Sequence, residues 1–153
     1  MQVAWAGGRR VVVITLLLVA AFLAQGAVVQ SAHASTRSRD TMLRLTNHDR
    51  SEHHEASLSL NAKLSRYALR HSRRMAEKGY LFHTIDLADR LKGLDWSIGG
   101  ENVGVGSTLH RVERGFMRST PHRENILRTS FDHAATGVVR SGGKVWVTVI
   151  FYG

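Results

Sequence analysis

"STPHRENILR", residues 119–128, decides how the rest of the chain reads. Thr120 can cap a helix, and Pro121 suits the first helical position, where its missing N–H would have no partner anyway. Ile126 and Leu127 give that helix an apolar anchor. His122 then falls in the first turn, where outward-pointing N–H groups and the positive end of the helix dipole disfavour a protonated imidazole. A neutral histidine presented from a helix start needs chemical partners.

Two candidates lie upstream. "GYLFHT" offers His83 just past a helix, and "GGENV" offers Glu101 at a glycine turn. The separations of 18 and 21 residues match no local metal motif such as H-E-x-x-H. The other histidines read differently. His71 lies on an apolar helical stripe and is expected to be a hydrogen-bonded core residue. His53 and His54 sit together in a polar stretch and are expected to be exposed.

The surrounding elements are read from periodicity. A helical pattern starts at Thr41, with Met42, Leu45 and His48 on one face, and "SEHHEASLSL" breaks it as a loop. Asn61 caps the clearest helix, "AKLSRYALRHSRRMAEK", whose Leu64, Tyr67, Ala68, His71 and Met75 recur at three- and four-residue steps before Gly79 ends it. "IDLADRLKG" reads as a short helix. "LDWSIGGENVGVGS" fits neither the P-loop nor the dinucleotide fingerprint, and is expected to form a tight turn entering a short strand. Ser107 or Thr108 caps a helix that turns Leu109, Val112 and Phe116 inward. The chain closes in "ATGVVRSGGKVWVTVIFYG", an antiparallel hairpin around Ser141-Gly142-Gly143. Helices on both faces of a small antiparallel sheet make this an α+β domain.

Composition places the domain outside the cytoplasm. "MQVAWAGGRR" ends in two arginines, "VVVITLLLVAAFLA" is short and apolar, and Ala32-His33-Ala34 is a small-x-small cleavage pattern. Residues 1–34 therefore read as a secretory signal peptide, 35–40 as a polar linker and 41–153 as the folded domain. Residues 11–29 serve in the alternative reading as an uncleaved membrane anchor. The chain has no cysteine, so an exported domain of this size must rely on its apolar core without disulfides. The net charge is +9, and 17 of the 21 cationic residues are arginine, which suits carboxylates and phosphates. The cations are scattered, without zinc-finger spacing or an aromatic-rich strand, which argues against nucleic acid and for an anionic envelope or membrane surface.

The order of "NHDR", "LSRYALRHSRRMA", "GYLFH", "GGENV", "FMRSTPHRENIL" and "VWVTVIFYG" resembles the bacterial branch of the CAP superfamily. That superfamily includes the cysteine-rich secretory proteins, antigen 5 and the plant pathogenesis-related proteins, and its domain is also called the SCP domain. The resemblance implies an α-β-α sandwich with an open cleft lined by two histidines and two acids. Carried over by motif, these are His83, His122 and Glu101. The fourth acid has no clear match; Ser119 stands near where it would fall, and Glu113 lies too far upstream. Phe116-Met117 replaces a tryptophan common among relatives, and "STPH" replaces "SPGH". Asn102 and Asn125 are expected to satisfy turn and helix-end backbone groups.

Two neutral imidazoles and a carboxylate can face a Zn²⁺ ion, leaving positions for water, or can hydrogen-bond one another and brace the cleft. The first functional expectation is an exported module that binds an envelope or extracellular ligand. The second is a hydrolase using metal-bound or histidine-activated water, with Ser119 the cleft-adjacent hydroxyl. Sterol or lipid binding in an apolar groove, known among relatives, is a third. Cleavage is expected after Ala34 or Ala27, and intact-mass measurement of exported protein tests it. A mass that retains residues 11–24 would place the leader in the anchor class.

Overall fold

Lys144–Tyr152 is the strand on which the domain is built. Every residue after Lys144 is buried, and alternate side chains serve opposite layers. Val145, Val147, Val149 and Phe151 pack with Met42, Leu58, Val112, Phe116, Ile126 and Phe131. Ile150 and Tyr152 pack with Leu64, Tyr67, Ala68 and Leu91. A strand buried on both faces requires helices on both, so the chain forms the expected α-β-α sandwich.

The computed structural model describes residues 35–153. The expected signal peptide, residues 1–34, and the alternative anchor, residues 11–29, lie outside the described residues. In chain order the elements are helix α1 (35–52), strand β1 (Ser59–Leu60), helix α2 (Ala62–Lys78), helix α3 (Leu87–Leu91), strand β2 (Gly99–Gly106), helix α4 (Leu109–Arg118), helix α5 (Thr120–Ile126), and the hairpin of β3 (His133–Ser141) and β4 (Lys144–Tyr152). The sheet order is β1-β3-β4-β2. The three long strands are antiparallel as expected. The two-residue β1 runs parallel to β3 and makes the sheet mixed. It arises at the end of "SEHHEASLSL", a stretch whose composition reads wholly as loop. No helix among the described residues is long and apolar enough to cross a membrane.

The first helix departs from the sequence expectation twice. Residues 35–40, expected as a linker, are helical and continuous with residues 41–52. The Thr136 hydroxyl of β3 donates to the Arg39 carbonyl at 2.9 Å, which ties this turn to the sheet. The buried face is Met42, Thr46 and Arg50, at strict four-residue steps, whereas His48 is exposed. Arg50 is fully buried. Its guanidinium donates to the carbonyls of Ala56 (2.6 Å), Ile126 (2.7 Å), Arg128 (3.0 Å) and Phe131 (3.2 Å). A charge out of water is tolerated only when its donors are satisfied in this way. Burial lowers the Arg50 pKa, and Glu55 opposes that shift.

Helix α2 is bounded as its caps predict. Asn61 accepts from the Leu64 N–H at 2.9 Å and donates to the Tyr152 hydroxyl at 2.9 Å. Gly79 ends the helix in the left-handed region. The helix lies backbone-on-backbone against β3. A Cβ on Gly137 would fall 2.1 Å from the Ala68 carbonyl carbon and 2.2 Å from the Leu69 nitrogen. Any side chain there would push α2 off the sheet.

Glu113 of α4 is 3% exposed, and neither of its carboxylate oxygens has a hydrogen-bond partner. Burial pushes its carboxyl up to about 8; Thr46 of α1 pulls it down without forming a well-aligned bond, and Asp49 pushes it up. The native state therefore holds a proton that the unfolded chain releases near the ordinary glutamate pKa. The stability linked to that proton is complete below the unfolded value and is lost as pH rises towards 8, at up to about 1.4 kcal/mol per unit. Urea midpoints measured from pH 5 to 8 should fall less steeply for Glu113→Gln than for the wild type. Parallel profiles would contradict this reading.

Candidate functional site

Strand β2 forms one edge of the sheet, and its pleat organises the site. Glu101 pairs with Ile150 and so faces the α2 layer; Asn102 pairs with Val149 and faces the α4–α5 layer. The Glu101 carboxylate is nearly buried. Its Oε1 accepts the Thr84 N–H at 2.9 Å and contacts His83 Nδ1 at 2.8 Å, and its Oε2 accepts the Thr84 hydroxyl at 2.6 Å. The Tyr67 hydroxyl donates to Thr84 Oγ1 at 3.3 Å and extends the chain of bonds into α2. Since Oε1 already acts as an acceptor, His83 Nδ1 carries a proton and Nε2 is left for a ligand. The His83 side chain is 63% exposed, against 4% for that of Glu101. A buried carboxylate thus orients an accessible imidazole.

His71 sits behind this pair as the core residue its stripe predicts. It is fully buried, with Nδ1 3.1 Å from Thr148 Oγ1, itself bonded to Ser72 at 2.9 Å. Its Nε2 has no partner, and its ring meets the edge of Phe82 at 5.0 Å. Burial lowers the His71 pKa and Glu101 raises it; the charges of Arg74 and His83 lower it, and the His83 backbone, near the ring but not well aligned for a bond, raises it. His71 and Phe82 therefore wedge the segment that carries His83.

His122 approaches from the other layer. Ser119, rather than Thr120, is the N-cap residue of α5; Thr120 opens the helix and Pro121 follows it. The Ser119 hydroxyl makes no cap bond and instead meets His122 Nδ1 at 2.8 Å. The His122 ring packs on Phe116 at 5.1 Å. Its pKa is lowered, as the opening motif suggests, but the causes are burial first and the nearby His83 charge second. Asn102 Nδ2 donates to the His122 carbonyl at 2.9 Å, and Asn125 Nδ2 donates to Asn102 Oδ1 at 2.9 Å. This ladder laces α5 to β2. It passes so close to the strand that a Cβ on Gly100 would fall 2.8 Å from Asn125 Oδ1. The "GGEN" sequence is thereby explained: a carboxylate for one layer, a carboxamide for the other, and a glycine where Asn125 crosses.

The three expected cleft residues therefore form a bonded pair, His83–Glu101, and a separate His122–Ser119 pair. His83 lies close enough to act on His122 electrostatically, but His122 bonds to neither partner. Among the described residues, no three His, Cys, Asp or Glu side chains gather as a set that could hold a metal ion. The pleat is the reason, because it directs Glu101 away from the α5 layer. Ser119, near which the resemblance places a fourth acid, bonds to His122, and Glu113 is buried in α4 with Thr46 and Asp49 of α1 nearby. Thr84, which holds both carboxylate oxygens, is a site residue that the sequence reading misses, although its hydroxyl directly follows His83 in "GYLFHT". His53 and His54 are exposed, as expected.

Comparisons with known proteins agree with this architecture. The sequence pattern of the CAP family, described as the cysteine-rich secretory protein family, matches residues 43–151. The Bacillus subtilis protein YkwD is 32% identical over 112 residues, which cover 69% of this chain and 43% of YkwD. The crystal structure of an extracellular protein containing an SCP domain from Bacillus anthracis superposes with a TM-score of 0.64 at 25% identity, covering 77% of this chain and 41% of that one. An outer surface protein of Borrelia burgdorferi shares the fold alone, with a TM-score of 0.65 at 18% identity over 74% of this chain and 90% of that one. The chain thus spans less than half the length of the two Bacillus relatives. From the match over residues 43–151, carried on the sandwich and edge-strand site described above, the chain belongs to the CAP family.

Proposed function

We propose that the chain is an exported CAP domain that binds a ligand or partner at the cell envelope or outside the cell, through the accessible imidazole of His83 and the neighbouring His122. The observation that carries this reading is the Glu101 carboxylate. Its acceptor bonds to His83 and Thr84 hold a histidine in one orientation with Nε2 free, an arrangement that presents a recognition group. The leader-like residues 1–34 and the extracellular SCP-domain relative support export.

Zn²⁺ fits this arrangement only in part. Both Glu101 oxygens are engaged, so Glu101 would stand behind His83 rather than among the ligands, and the imidazole Nε2 atoms of His83 and His122 would be the donors. Two imidazoles and water make a weak, exchangeable site whose occupancy falls as protons compete below the histidine range. One observation favours a hydrolase as the second reading: the Ser119 hydroxyl lies 2.8 Å from His122 Nδ1. A nucleophile and base at that distance resemble a catalytic pair. No carboxylate makes a hydrogen bond to the His122 ring among the described residues, so the group that orients the base in a triad is missing.

Two measurements separate these readings. A fluorophosphonate probe should leave Ser119 unlabelled; labelling abolished by His122→Ala would establish the hydrolase instead. Calorimetric titration with Zn²⁺ should show weak binding at pH 7.5 that is lost at pH 5.5 and lost in both His83→Ala and His122→Ala. A flat isotherm at both values would restrict the cleft to organic ligands, and equal binding by the double variant would remove both histidines from the role.

A further inference from the structure

The exposed face of α2 is densely cationic and unneutralised. Arg66, Arg70, Arg73, Arg74 and Lys78 are all exposed, and among the described residues none of them makes a salt bridge. Side by side on one helix, such charges repel unless an anion lies between them. Arg70, Arg73 and Arg74 line an open recess of about 390 Å³ together with Tyr67, Glu77 and Arg90 of α3. The guanidinium carbons of Arg90, Arg70 and Arg74 stand 4.7, 5.9 and 5.9 Å from the centre of the Tyr67 ring, so the ring backs the recess and orients its walls. Glu77 is the one carboxylate among the lining residues, and Arg90 also pairs with Asp86. The surplus remains positive.

The loop between α2 and α3 is tied to this recess and exposes apolar side chains. Thr84 is bonded to Tyr67, and Asp86 to Arg90. Between them Ile85 is fully exposed, at 101%. In the same loop Tyr80 and Leu81 are 56% and 40% exposed, and Lys78 stands 5.0 Å over the Phe82 ring. An exposed isoleucine in a loop that also exposes Tyr80 and Leu81, on the same side as a cationic recess, suits an interface where phosphate headgroups overlie hydrocarbon.

We infer that this α2 face is a docking surface for an anionic phospholipid membrane, with a headgroup phosphate in the Arg70–Arg73–Arg74–Arg90 recess and Ile85 inserted beside it. Guanidinium forks match phosphate oxygens in pairs, which a lysine cluster would not do. The recess adjoins the cleft through the Tyr67–Thr84 bond but includes none of His83, Glu101, His122 and Ser119, and stands whether or not the cleft reading holds. Ile85 lies two residues from His83, so docking would set the site's rim at the lipid surface.

The test is co-sedimentation of the full chain with vesicles of phosphatidylcholine alone, or with about one-third phosphatidylglycerol, in ~0.1 M and ~0.5 M NaCl. Residues 1–34 are common to wild type and variants, so differences between them isolate the helix face. The phosphatidylglycerol-dependent increment should be at least about tenfold at low salt and should collapse at high salt. Each cation removed should lower it roughly fivefold. Arg70→Gln/Arg73→Gln/Arg74→Gln should therefore abolish it, and Ile85→Asp should reduce it, with unchanged circular dichroism in both. Equal partition of the wild type onto the two vesicles, or an increment retained by the triple variant, would overturn the inference. So would calorimetric binding of inorganic pyrophosphate that needs the three arginines in a protein showing no vesicle increment, because the recess would then serve a soluble anion.

Discussion

The pleat of β2 at Glu101-Asn102 is the constraint on which the site depends. Two consecutive polar side chains on a sheet edge point into opposite layers, and both are nearly or fully buried. Neither can be left without partners in such surroundings. Glu101 recruits the 83–84 segment on the α2 side, and Asn102 recruits the His122 carbonyl and Asn125 on the α5 side. The edge strand therefore fixes both loops that carry histidines. It also keeps the histidines from sharing one carboxylate, which is why the geometry offers two hydrogen-bonded pairs instead of a closed triad.

The same economy of buried polar groups replaces disulfides. With no cysteine in the chain, the long loops are held by side chains that bond to backbone. Arg50 gathers four carbonyls from three places in the sequence and so holds the end of α5, the helix that carries His122. Asn47 holds Leu58 by donating to its carbonyl at 3.0 Å and accepting its N–H at 2.9 Å, which sets the approach to β1. Removing one member of such a network costs more than an average hydrogen bond, because the remaining groups stay buried and unpaired. Glu113, Thr46 Oγ1 and His71 Nε2 are left without hydrogen-bond partners by this network, and burial keeps Glu113 protonated towards neutral pH.

Much of this is legible in the sequence, and the limits have physical causes. The α2 periodicity, the caps at Asn61 and Thr108 and the terminal hairpin are local signals, and the structure matches them. The buried face of α1 is hidden because Thr46 and Arg50 look like surface residues. Arg50 is accepted inside only because carbonyls at the end of α5 and at Phe131 meet its guanidinium, and Thr46 is buried beside it. Residues 35–40 look like a linker because their anchor is Thr136, 97 positions from Arg39. At the site, His83, Glu101 and His122 each stand out in their motifs, but which of them touch is decided by the strand register. That register depends on pairing between β2 and β4, residues far apart in the chain, and no spacing rule reveals it.

The site rests on one bond above the others, that between His83 Nδ1 and the Glu101 carboxylate. Nitrogen-15 chemical shifts of the His83 ring, recorded near pH 8.5 where imidazoles are neutral, report which nitrogen carries the proton. A single Nδ1–H tautomer with a bare Nε2 is the predicted result. An Nε2–H tautomer, or the averaged shifts of an unrestrained histidine, would contradict it.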